Sequence, residues 1–114
     1  MVDQEWISRD SVESWIVGHD FASLAYDPDI GLYCLGDAPF SGNVLHRWRN
    51  GKLRAVAQYA GGVAHGVSVG WYPDGEIEFY REMGDGVGHG WHIEWSQSGV
   101  KESEAQYIEG RKVD

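Results

Sequence analysis

HGVSVGWYPDGE at residues 65–76 and HGWHIEWSQSGV at residues 89–100 state one pattern twice, 24 positions apart. The glycines carry that pattern through three copies. Gly42, Gly66 and Gly90 form one series, Gly51, Gly75 and Gly99 a second, and Gly62, Gly86 and Gly110 a third, all with the same step. A period of this length belongs to repeat arrays in which each unit buries its apolar side against its neighbour. Other columns agree: Trp48 with Tyr72, Trp71 with Trp95, Leu53 with Ile77, Tyr59 with Tyr107, His65 with His89. In the last copy Ser96 and Lys101 stand in otherwise apolar slots, as suits a terminal unit whose outer side meets water.

Within the second copy Val67, Val69 and Trp71 alternate with Ser68, Gly70 and Tyr72, the period of a strand. Asn50-Gly51, Asp74-Gly75 and Ser98-Gly99 share one phase and mark hairpin tips, where glycine supplies the positive φ of a tight turn. Second strands follow over 53–59, 77–83 and 100–107. The pattern predicts an all-β fold, an open, elongated meander of about six antiparallel strands in three hairpins. Helix is excluded there, because each interior glycine would cost a helix roughly 1 kcal/mol. Residues 1–30 read as a capping segment and 31–114 as the repeat sheet, together one domain. A short helix is expected over Asp10–Ile16, with Asp10 or Ser11 as its cap, and a strand from Ile30 to Leu35. The irregular N-terminal segment is expected to cover the first edge or one face of the sheet, since a bare edge invites aggregation.

The 114 residues carry 18 Asp and Glu against 9 Lys and Arg, a net charge of −9. Nucleic acid and anionic lipid, which recruit clustered Lys and Arg, are the wrong partners for such a chain. A basic protein surface is the right one, because the field attracts and steers it. Cys34, the sole cysteine, supports neither a disulfide nor a cysteine zinc site, and it reads as a small buried residue in a reducing compartment. The opening MVDQEWISRD has no basic stretch followed by an apolar one, so neither a secretory signal nor a membrane span is predicted.

Two-residue hairpin turns would set Trp71 opposite Glu78, Val69 opposite Tyr80, Val67 opposite Glu82, Trp95 opposite Glu102, Ile93 opposite Glu104 and Trp91 opposite Gln106. One face would then expose an aromatic row of Trp71, Tyr80, Trp91 and Trp95 flanked by Glu78, Glu82, Glu102 and Glu104. Aromatic anchors beside carboxylates are the composition of a protein-binding surface. Tyr72, Ile77, Phe79, Met83, Trp48, Leu53, Ala55, Ala57 and Tyr59 would form the packing face. No catalytic residue, metal ligand or cofactor site is assigned. His89, His92 and Glu94 come nearest to a metal set, but a three-residue histidine spacing suits a helix rather than a strand. His65 and His89, just before a glycine, suit hydrogen bonding at a loop. Gly84-Asp85-Gly86-Val87-Gly88 precedes a strand and so lacks the helix N-terminus of a phosphate loop.

The run Trp71-Tyr72-x-Asp74-Gly75-x-Ile77, the loop Gly86-x-x-His89-Gly90 and the entry Pro39-Phe40-Ser41-Gly42 resemble the variant MORN repeat of bacterial proteins known as YwqK-family antitoxins. The resemblance spans about residues 31 to 112. It implies a cytoplasmic antitoxin or immunity protein that binds and neutralises a cognate toxin, without catalysis or cofactor. Other MORN-type proteins are structural adaptors or bind lipids and proteins, which is the alternative the same resemblance implies.

Overall fold

The computed structural model describes residues 4–113. After a 3-10 turn at Gln4–Trp6, the elements are α1 (Arg9–Trp15), β1 (His19–Asp20), β2 (Ala25–Asp27), β3 (Leu32–Leu35) and β4 (Ala38–Pro39). The repeats supply β5 (Gly42–Arg47), β6 (Leu53–Ala60), β7 (Val63–Trp71), β8 (Ile77–Gly84), β9 (Val87–Trp95) and β10 (Lys101–Ile108), and β11 (Arg111–Lys112) follows. Strands β5 to β10 lie side by side in chain order as antiparallel neighbours, with β1 added parallel to β5 and β11 antiparallel to β10. The result is an open eight-stranded sheet beside a three-stranded one made of β2, β3 and β4. That small sheet straddles residue 30, where the N-terminal segment was expected to end.

Two irregularities recur at each hairpin tip. The Tyr72 N–H donates to the Glu76 carbonyl at 2.8 Å and the Gly75 N–H to the Tyr72 carbonyl at 2.9 Å, so three residues turn the chain. Gly51, Gly75 and Gly99 hold φ of 86°, 96° and 89° there, the left-handed state that closes a three-residue loop. This loop is one residue longer than the two-residue turn the dipeptides suggest. A bulge then restores the register: Trp71 pairs with Ile77 while Gly70 pairs with Phe79, leaving Glu78 as the extra residue. Arg54 and Glu102 are the extra residues of the other two hairpins. The inner pairs Val69–Tyr80, Val67–Glu82, Ile93–Glu104 and Trp91–Gln106 form as expected. Trp71 and Trp95 instead face Ile77 and Lys101, not Glu78 and Glu102.

One cross-strand row, Leu45–Val56–Val69–Tyr80–Ile93, runs straight across the sheet, and all five residues are buried. The N-terminal segment lies on this first face and seals it with Trp6 and Val12. Ser8 caps α1, its side chain accepting the Ser11 N–H at 3.3 Å, two residues earlier than the first of the expected caps. Several bonds then pin the segment to the sheet. The Trp71 indole N–H donates to the Ile7 carbonyl at 3.0 Å, the Leu53 N–H donates to Glu13 Oε1 at 3.1 Å, and the Arg9 guanidinium donates to the Pro73 carbonyl at 3.3 Å. Trp71 and Tyr80 are consequently 0% exposed. Trp71 and Tyr80 of the aromatic row expected to face a partner are therefore core, with Trp91 and Trp95 half-buried against it; of the expected packing set Leu53 and Ile77 join that same core, while Ala55, Ala57 and Phe79 fall on the other face. The cause is Trp6, Val12 and Ile16, which give the tryptophan side of the sheet a cover.

The second face carries the rows Val44–Ala57–Ser68–Arg81–His92 and His46–Ala55–Gly70–Phe79–Glu94. Over the first copy it is covered: Phe21 stacks on His46 at 4.7 Å, Tyr33 meets Tyr59 edge-on at 5.9 Å, and Val44 is buried. Cys34 is buried nearby in the small sheet. Over the second and third copies the second face lies open.

Truncating Trp71 removes a large, fully buried side chain and its bond to Ile7. Trp71→Ala is expected to lower unfolding free energy by about 3–5 kcal/mol in a denaturant titration. Phe79→Ala, on the open face, is expected to change it by less than about 1.5 kcal/mol.

Candidate functional site

The open face has a chemical centre between the second and third hairpin tips. Tyr72, Glu78, Phe79, Arg81, Glu94, Trp95 and Glu102 line a niche of about 120 Å³. Glu78 and Glu102 reach it because they are the bulge residues of their hairpins. Phe79 and Glu94 reach it by direct pairing across β8 and β9. The Tyr72 hydroxyl donates to the Trp95 carbonyl at 2.7 Å and ties one tip to the next. Burial pushes the Tyr72 phenol up from its ordinary value, and the carboxylates of Glu78, Glu102 and Glu94 push it further. Arg81 lies over the Phe79 ring at 4.4 Å and bonds Glu94 at 3.2 Å, so Glu94 has its countercharge. Among the described residues Glu78 and Glu102 have none. Because Arg81 already covers the Phe79 ring, the two carboxylates without an ion pair, Glu78 and Glu102, are left beside Tyr72 and Trp95, an arrangement that can accept a guanidinium or ammonium group.

The first copy reverses the sign. Arg54 stands in the slot of Glu78 and Glu102, and it lies over Trp48, the counterpart of Tyr72, at 4.8 Å. Arg47, Arg49 and Arg54 line one shallow depression beside Trp48. With Arg47 paired to Glu13 and Asp20, the charge left at the hairpin tips runs from Arg49 and Arg54 in the first copy to Glu78 and Glu102 in the second and third.

The eight residues expected to bind a partner separate into four groups. Trp71 and Tyr80 have no exposed surface to offer. Glu82 is held inside the sheet: its Oε1 accepts the Trp91 N–H at 2.8 Å and its Oε2 accepts the Tyr80 hydroxyl at 2.9 Å. Trp91 and Trp95 are half-buried, packed against the core, while Glu104 is exposed opposite Ile93 and pairs with Lys101 at 3.1 Å. Glu78 and Glu102 stand in the niche, which Trp95 also lines. The sequence reading missed Tyr72, Phe79, Arg81 and Glu94 as site residues. The slot shared by Trp48 and Tyr72 was their available signal.

Glu82 explains a glycine column. Between the pairs Arg81–His92 and Met83–Gly88, β8 advances two residues while β9 advances four, opening a gap in the ladder. The Glu82 side chain closes it, and a Cβ on Gly90 would collide with Glu82 Oε1. Gln58 does the same one repeat earlier, accepting the Val67 N–H at 2.8 Å over Gly66. The histidine slot is also structural: His65 and His89 accept the N–H groups of Asp85 and Glu109, each at 3.3 Å. Those two non-glycine residues have φ of 50° and 49°. His92 stacks on Tyr107 at 4.3 Å and contacts the Glu82 carbonyl at 3.3 Å, so His89, His92 and Glu94 do not converge. Among the described residues no group of three or more His, Cys, Asp or Glu is placed to hold a metal ion.

Comparison with protein-family models, with curated proteins and with solved structures yields no match to this chain.

Because Gln58 already fills the staple position, Glu82→Gln is expected to keep stability within about 1 kcal/mol, while Glu82→Ala, leaving the Trp91 N–H unanswered, costs about 1.5–3 kcal/mol. Gly90→Ala should cost a comparable amount, about 1–3 kcal/mol, since φ is 119° there and the Cβ has no room. Thermal and denaturant unfolding of the three variants checks both statements.

Burial lowers the pKa of His46, with Arg54 adding to it. Burial also lowers that of His92, against the opposing pull of its bond to the Glu82 carbonyl. The folded state prefers both rings neutral, so their contribution is full above the ordinary value of 6.5 and is lost as pH falls toward the lowered values. Between about pH 8 and pH 5 the wild type is expected to lose more stability than His46→Gln/His92→Gln, read from denaturation midpoints at each pH.

Proposed function

We propose that this chain is a protein-binding immunity protein, an antitoxin that neutralises a cognate bacterial toxin by covering it with the open face of its second and third repeats. The observation that carries the reading is the pair of carboxylates without an ion pair among the described residues, Glu78 and Glu102, beside Tyr72 and Phe79 on the face opposite the N-terminal segment. A lysine or arginine of the partner fits there, its stem on the rings and its charge between the carboxylates. The net charge of −9 favours a basic partner over the whole approach and speeds encounter. The likeness of the repeats to the variant MORN units of bacterial antitoxins supports a toxin as that partner and the cytoplasm as the place of action. Inhibition by occlusion asks no chemistry of the chain.

Coexpression with a toxin domain, should one be encoded beside the gene, tests the reading. The wild-type chain is expected to relieve toxicity and to copurify with the toxin. Phe79→Ala and Glu78→Lys/Glu102→Lys should each weaken the complex by at least about 2 kcal/mol, roughly thirtyfold, while changing the unfolding free energy of the free protein by less than about 1.5 kcal/mol. Undiminished protection by both variants would refute the assignment of the face. Capture of anionic vesicles instead of a protein would give the adaptor reading.

A further inference from the structure

The two long edges of the sheet are finished differently. At one, β1 pairs with β5 through His19–Val44 and Asp20–Leu45, and the Asn43 amide donates to the Val17 carbonyl at 2.9 Å. At the other, β11 pairs with Tyr107 and Ile108 of β10, and the Val113 N–H donates to the Gln106 carbonyl at 2.7 Å. Among the described residues, Lys101 to Ala105 have no neighbour on that side. In an antiparallel ladder the N–H and C=O of one residue point the same way and alternate along the strand. Those of Gln106 point outward, toward Val113, so those of Glu104 do too.

The edge also carries the device that joins hairpins inside the sheet. Gln58 and Glu82 lie 24 residues apart, and each accepts a backbone N–H from the strand that follows. Gln106 is the next member of that series. It is exposed, and among the described residues its side chain has no hydrogen-bond partner. The pair Tyr107–Lys112 matches Met83–Gly88 in repeat phase, so the ladder reaches the start of the stapled gap with the staple unused.

We infer that this edge is a strand-acceptor site, at which an extended segment of a partner protein bearing lysine or arginine adds antiparallel to β10, with one of its N–H groups bonded to the Gln106 side chain. Glu102, which has no ion pair among the described residues, sets the charge of the guest, for Lys101 and Glu104 hold each other. A second copy of this chain is the wrong guest, because its own β10 would bring Glu102 and Glu104 against the same residues, and like charges opposed across a ladder are destabilising. Main-chain bonds supply affinity in such an addition, and alternate side chains supply selectivity. The inference rests on the reading of the chain as a protein binder and adds where a partner's strand joins. It does not require that the partner be a toxin.

The test uses the full chain and, as probe, a capped peptide of about ten residues alternating valine and lysine, against the same peptide N-methylated at alternate residues. Binding of the plain peptide, a loss of at least about tenfold on N-methylation, a several-fold loss in Gln106→Ala, and slowed amide exchange at Glu104 in the complex are the expected results. Glu78→Lys should bind it within about threefold of wild type, since Glu78 stands on β8, two strands from the edge, and of the niche carboxylates only Glu102 lies on β10. Equal binding of both peptides, no protection at Glu104, or no binding at about 1 mM would overturn the edge assignment. Loss in Glu78→Lys with none in Gln106→Ala would also overturn it, moving the guest to the face and leaving the protein-binding reading standing. A native mass showing dimers that Glu104→Lys strengthens would replace the foreign segment with a second copy.

Discussion

A side chain bent back into the ladder over a glycine is the contact on which the rest of this sheet depends. Gln58 over Gly66 and Glu82 over Gly90 fill the gap that opens when one strand advances two residues and its neighbour four. Because both counts are even, the alternation of faces survives the gap, and the row from Leu45 to Ile93 stays on one side. Without that acceptor a buried N–H would stand alone, at a cost of about 1–3 kcal/mol per join. The glycine has no freedom to change, since any Cβ would meet the staple itself. Three columns of glycine in the sequence are thus three backbone irregularities in fixed phase: a tip, a return loop and a stapled gap.

The repeat, the strands and the inner pairing were legible because period-two alternation and glycine columns both report backbone geometry directly. What could not be read was parity at the tips. A three-residue loop and a one-residue bulge cancel within a hairpin, so Val69 still meets Tyr80, but the residues between them, Ile77 and Glu78, change sides. Asp74-Gly75 is compatible with either loop, and nothing local distinguishes them. The choice of face lay beyond the repeats altogether. It is set by Trp6 and Val12, two apolar residues in a segment too brief to show a helical period, which close on the Trp71 side. Glu82 was the subtler miss: its column partner is Gln58, and a slot that accepts either a carboxylate or an amide is asking for an acceptor oxygen, not a charge.

Once the first face is committed to the core, charge decides what the second can do. Arg54 on Trp48 at one end and Glu78 with Glu102 around Tyr72 at the other use one backbone position to present opposite signs. The scaffold therefore separates two tasks. Tip glycines hold the geometry in all three copies, and staples and loop histidines hold it in two, while the bulge residue at each tip differs, Arg54 against Glu78 and Glu102. A partner surface of matching polarity would find orientation as well as attraction along such a face.

Solvent access to neighbouring positions on the two faces tests this arrangement most directly. In a Cys34→Ser background, thiol labelling of Phe79→Cys and Val69→Cys compares adjacent strands, one position on each face. Phe79→Cys should react in the folded protein at a rate near that of a free thiol, and Val69→Cys only at the rate of unfolding, because Val69 is 0% exposed beneath the N-terminal segment. Rapid labelling of a folded Val69→Cys protein with protection of Phe79→Cys would show the faces to be the other way round.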